Sequence, residues 1–188
     1  LVTDNHVLAR DLGKHVPCVE VAAREVVTES FRQGFWTLST QRFAALAEAH
    51  RSIGGEIIHI ESDVRLAPGI DFSVLGDMSQ SIAYPLLAPG RGSGAVVYLR
   101  NVEASNQLAA HLTSFQQATQ GNDMEALWDF WQRSRSQVRI LPCVEPVDDE
   151  RLEAVVGVES TREMQHLRSA MSGIFDAASY GQYIFGTD

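Results

Sequence analysis

The stretch Glu56-Ile57-Ile58-His59-Ile60-Glu61-Ser62-Asp63-Val64, entered through Gly54-Gly55, constrains the fold more than any other part of the chain. Its three isoleucines are β-branched, which stiffens χ1 and suits a pleated surface. An apolar run this short, between a glycine pair and two carboxylates, reads as a buried strand rather than a helix. Upstream, the spacing predicts a helix over 40–52, capped by Ser39 or Thr40, with Phe43, Leu46, Ala47 and His50 on one face. Gly54-Gly55 ends it, because positive φ costs glycine nothing. A helix that hands over through glycines to an apolar strand is α/β grammar. In open parallel sheets, ligands bind beyond the carboxyl ends of the strands. Glu61 and Asp63 stand at that edge, two residues apart and so on one side, with His59 sharing that side. A carboxylate pair on a rigid strand end is a seat for a hard divalent cation. Spacing alone favours a plainer reading, in which Glu61 opens a polar loop and Asp63 closes a turn. A single histidine in an apolar run is a hydrogen-bonded core residue more often than a ligand.

Leu1 to Asn5 reads as the last residues of a strand with no lead-in, so N-terminal sequence is expected to be missing. Residues 6–13 suit a short helix closed by Gly13, and 16–21 an edge strand carrying Pro17. Residues 22–34 are ambiguous, and Phe35-Trp36 is an aromatic pair for the sheet. Beyond Asp63 the chain is irregular, with turns at Pro68-Gly69 and Gly76-Asp77 and a short strand at 81–85. Pro89 to Gly94 is glycine-rich but precedes a strand, so the dinucleotide fingerprint does not apply. It reads as a mobile loop beside the site, with Arg91 in reach of a phosphate or simply solvated. A buried strand at 95–99 leads through Asn101 into a helix bearing Leu108, Ala109, Leu112 and Phe115. Asn122 and Glu125 outline a capping box for a third helix, with Met124, Leu127, Trp128 and Trp131 as its buried stripe. Residues 138–142 form a strand stopped by Pro142, 148–158 a surface excursion, and 174–183 a helix capped by Asp176.

The length of 188 residues suits one domain with a sizeable core. The net charge of −9 argues against a nucleic-acid-backbone binder, and does not exclude an anionic nucleotide held through a metal or local donors. Cys18 and Cys143 fit neither a zinc spacing nor a disulfide framework, so a reducing, cytoplasmic compartment is expected. No apolar run approaches the roughly 20 residues that span a bilayer, and no signal segment opens the chain.

Three segments together resemble a family. His59-Ile60-Glu61-Ser62-Asp63-Val64 resembles the Asp-x-Asp-type metal motif of nucleotide-sugar glycosyltransferases with the GT-A fold, with Glu in the first acidic position. Phe175 to Tyr183 is similar to a Phe-Asp-Gly-Ala-Ala-x-Gly-Gln-Tyr segment in some of these proteins, and Asp123-Met124-Glu125 to their Asp-Met-Glu helix start. The resemblance implies an α/β, GT-A-like (Rossmann-like) fold, with a mixed, mostly parallel sheet flanked by helices, in one domain that lacks its first strand and is truncated at both ends. It implies metal-dependent sugar transfer from a nucleotide-diphosphate sugar to a sugar or glycan acceptor, with Mn²⁺ or Mg²⁺ as cofactor. Asp63 would be the direct metal ligand, and Glu61 would bind through water or contact the ribose. Asp123 and Asp176 are the candidate general bases; at helix starts, both also suit plain capping. Gln182 would reach sugar hydroxyls or face solvent, and whether transfer inverts or retains stays open. The alternatives are a catalytically silent domain of the same fold, used for binding or assembly, and a nucleotidyltransferase.

Overall fold

The computed structural model describes residues 2–3, 10, 14, 19–21, 35–61, 64, 66, 68–143, 149–173 and 175. Two short strands, β1 (Val2–Thr3) and β2 (Val19–Glu20), pair in parallel. They fall within the strands expected at each position. The expected helices over 6–13 and 174–183 lie almost wholly outside the described residues.

Helix α1 (Phe35–Ile53) starts five residues before the expected Thr40 and ends where expected. Gly54 and Gly55 both adopt φ of 70° there, and the Gly54 N–H closes on the His50 carbonyl at 2.8 Å. Strand β3 (Ile57–Ile60) follows and pairs antiparallel with β6 (Val96–Leu99). Between them lie a 3-10 turn at Ser73–Leu75, β4 (Ile82–Ala88) and β5 (Arg91–Gly92). Then come α2 (Val102–Thr119), α3 (Asp123–Arg133), β7 (Val138–Leu141), α4 (Asp149–Val156) and α5 (Val158–Met171).

The five-stranded sheet runs β3-β6-β4, with β7 on the other side of β4 and β5 continuing the hairpin that β4 makes with β6. Only β4 and β7 are parallel within it, in the register Ile82↔Val138 to Pro85↔Leu141. The sheet is therefore mixed, as expected, but mostly antiparallel, which corrects the expectation that most of its strands run parallel. The reason is the Pro89-Gly90 turn. Gly90 at φ 84° folds the chain back within two residues, and a turn that short joins only antiparallel strands. The glycine-rich stretch thus forms a hairpin where an irregular loop was expected. Residue 85 does not end β4 as expected; the strand continues to Ala88, and the Pro85 carbonyl accepts from the Ser93 N–H at 2.8 Å.

Strand alternation divides the apolar residues between two cores. Ile82, Tyr84, Leu86, Val97, Leu99, Val138 and Ile140 meet α1, α2 and α3 on one face. Ala83, Val96, Tyr98 and Leu141 meet Leu75, Leu167 and Met171 on the other. With both faces covered, β6 is buried throughout and β4 from Ile82 to Leu86, as their apolar runs require. Strand β3 is only half-buried along its length, contrary to expectation, and has one sheet neighbour among the described residues.

The starts of α2 and α3 behave as their sequences dictate, whereas Ser39 and Thr40 lie inside α1 and do not cap it. Asn101 accepts from the Ala104 N–H at 2.9 Å. Asn122 and Glu125 complete a capping box, with bonds of 3.0 and 3.2 Å. His50 is fully buried and ties α1 to α2: its Nε2 lies 2.8 Å from the Gly55 carbonyl and its Nδ1 2.5 Å from Ser105 Oγ. A carbonyl only accepts, so Nε2 carries a proton. Residues 149–156 form α4 rather than a surface excursion, because Val156 is buried against the first core.

Candidate functional site

The carboxyl end of β3 meets the start of α3 at one arginine. Glu61 continues the ladder by one residue, its N–H donating to the Ala95 carbonyl at 2.9 Å. Alternation turns residues 57, 59 and 61 towards α1. There the Glu61 carboxylate pairs with the Arg42 guanidinium, while the His59 ring rests against Phe43, centroids 6.5 Å apart. The same guanidinium donates through Nη2 to Asp123 Oδ2 at 2.6 Å. Asp123 is the first residue of α3, where the capping box sets the turn and the helix dipole favours an anion. The cluster is graded in depth: the Asp123 side chain is 5% exposed, and those of Arg42 and Glu61 28% each.

Close backbone approach makes this possible. Gly94 lies against Arg42 and Phe43, and a Cβ on it would sit 3.0 Å from Phe43 Cζ. Gly92 lies against α3, where a Cβ would come within 2.7 Å of the Leu127 Cβ. Tyr84, fully buried, donates to the Leu127 carbonyl at 2.7 Å and fixes α3 over the hairpin. The glycines therefore seat α1 and α3 on the sheet.

His59 is held neutral. Burial first, and the Arg42 charge second, lower its pKa from the usual 6.5 to about 4. Its Nε2 is buried and has no hydrogen-bond partner among the described residues. The expectation of a hydrogen-bonded core histidine is half met: the residue is core-like, but that nitrogen is unsatisfied.

Glu61 and Asp123 are thus brought together, 62 positions apart in sequence, and His59 joins them on the same side of β3. Arg91 stands exposed at the hairpin, and its side chain makes no ion pair or hydrogen bond among the described residues. Asp63, Asp176 and Gln182 lie outside the described residues. The Val64 N–H donates to the Glu61 carbonyl at 3.1 Å. Arg42 was not singled out from the sequence. It adjoins the apolar stripe of α1, and nothing in that pattern says that an arginine there faces two carboxylates from distant elements.

Among the described residues, no group of three or more His, Cys, Asp or Glu side chains could hold a metal ion. Glu61 is partly open to solvent, and a carboxylate paired through one oxygen keeps the other for a further partner. Asp123 is nearly closed off and its charge is met by Arg42, so it does not suit a ligand role. No protein-family model matches the sequence, and no curated protein matches it. Among the described residues, no helix is long and apolar enough to cross a membrane.

Proposed function

We propose that the chain transfers a sugar from a nucleotide-diphosphate sugar at the carboxyl end of β3. One observation carries this reading: Glu61 and Asp123, from two of the three segments that resemble glycosyltransferases, converge on Arg42. In this reading Asp123 is a positioning residue. It anchors Arg42 from beneath, and Arg42 orients Glu61 at the strand end. Glu61 has the exposure to meet a ligand, and with Asp63 it would hold the Mn²⁺ or Mg²⁺ ion. Such an ion acts as a Lewis acid on the departing nucleoside diphosphate. Asp176 as base and Gln182 on sugar hydroxyls complete the proposal.

A second reading is favoured by the same cluster. Arg42 already neutralises both carboxylates, as a purely structural ion-pair network would. The chain would then be a silent domain of the same architecture, used for binding or assembly. Calorimetric titration of Mn²⁺, with and without UDP and GDP, separates the two. Transfer chemistry calls for metal binding that tightens with nucleotide and is lost in Asp63→Ala. Absence of both metal and nucleotide binding in the folded chain would leave the silent domain as the reading.

A further inference from the structure

A cleft of about 510 Å³ opens on the sheet face opposite Arg42, between the Ser73–Leu75 turn and α5. That volume lies within the range of small-molecule sites. Its walls are of two kinds. Val74, Met78 and Leu167 are apolar and belong to the second core or pack against it. Arg139, Arg162 and His166 are basic, in a chain whose net charge is −9.

The basic residues differ in what they have left to offer. Arg139, projecting from β7, is occupied: its guanidinium pairs with Glu163, and Nη2 donates to Gln80 Oε1 at 3.0 Å. Arg162 and His166 stand four residues apart on α5, so one turn separates them on the same face. Neither side chain makes an ion pair or a hydrogen bond among the described residues. Asp77 lies at the cleft and is exposed, while the Glu163 carboxylate is met by Arg139. The unmatched donors are thus on α5, directly beside the apolar surface of Met78 and Leu167.

We propose that this cleft binds a small anion with an apolar body, its carboxylate or phosphate head between Arg162 and His166 and its body against Met78 and Leu167. The charge-assisted bonds fix the head, and the apolar wall supplies the area that a bare inorganic ion could not use. Asp77 at the opening disfavours ligands with charge spread along their length. The proposal does not depend on sugar transfer, because the cleft and the Arg42 cluster lie on opposite faces of the sheet.

Titration followed by NMR tests it with phenyl phosphate, benzoate, inorganic phosphate and benzyl alcohol. Phenyl phosphate or benzoate should bind more tightly than both inorganic phosphate and benzyl alcohol, and which of the two wins identifies the head group. Arg162→Gln should weaken the better ligand by about tenfold, the loss of one charge-assisted hydrogen bond. Ala170→Trp, at an exposed lining position, should block the cleft while leaving the core intact. Failure of both aromatic anions to bind, or equal binding by the wild type and both variants, would overturn the proposal.

Discussion

Replacing Arg42 by methionine tests the logic of the site most directly. The substitution keeps the aliphatic stem beside Phe43 and removes the charge that Asp123 and Glu61 share. Removing one partner of a fully buried ion pair costs about 3–5 kcal/mol, whereas exposed pairs contribute about 0–1 kcal/mol. This pair lies between those limits, since Asp123 is 5% and Arg42 28% exposed. Water can enter beside Asp123 once the guanidinium is gone, so we expect a loss of about 2–3 kcal/mol. For a chain of this length that is a fall in Tm of roughly 5–10 °C. Urea unfolding followed by circular dichroism should be run on Arg42→Met, Asp123→Asn and the double variant. In the Asp123→Asn background no buried carboxylate is left unpaired, so Arg42→Met should cost at least about 1 kcal/mol less there. Equal cost in both backgrounds would show that Asp123 does not hold Arg42, and the account of how Glu61 is positioned would fail with it.

His59 gives a pH signature. Its folded pKa of about 4 lies below the usual 6.5, so the unfolded chain takes up the proton first as pH falls. The stability it contributes is fully present above about pH 6.5 and drains away between pH 6.5 and 4, by about 2–3 kcal/mol. His59→Gln should flatten that part of the stability profile, and a proton NMR titration midpoint near 6.5 for His59 in the folded chain would contradict the argument. Gly92→Ala places a methyl group 2.7 Å from the Leu127 Cβ, and neither atom can rotate away. Overpacking of this kind costs about 1–3 kcal/mol; an unchanged melting temperature would mean that α3 is not seated on the hairpin as described.

Local chemistry was legible in the sequence. The α1–β3 handover through Gly54-Gly55, the Asn101 cap and the Asn122–Glu125 box all appear where their residues called for them, because each depends on groups within four positions of one another. The apolar run at 96–99 was correctly read as buried for the same reason. Alternation also placed His59 and Glu61 on one side of β3, which the contacts to Phe43 and Arg42 bear out.

Pairing direction and partnership were decided only in three dimensions. A strand's residues do not state which neighbour it takes, and β3, which reads as a buried strand of a parallel sheet, is half-buried beside an antiparallel β6. The glycines of 90–94 look alike in sequence. In the fold Gly90 makes the turn, Gly92 meets Leu127, and Gly94 meets Phe43. Arg42, Glu61 and Asp123 are unremarkable as letters on a helix, a strand end and a helix start. Ion pairing is set by distance, and that distance exists only because the sheet and the two helices are packed against a common core.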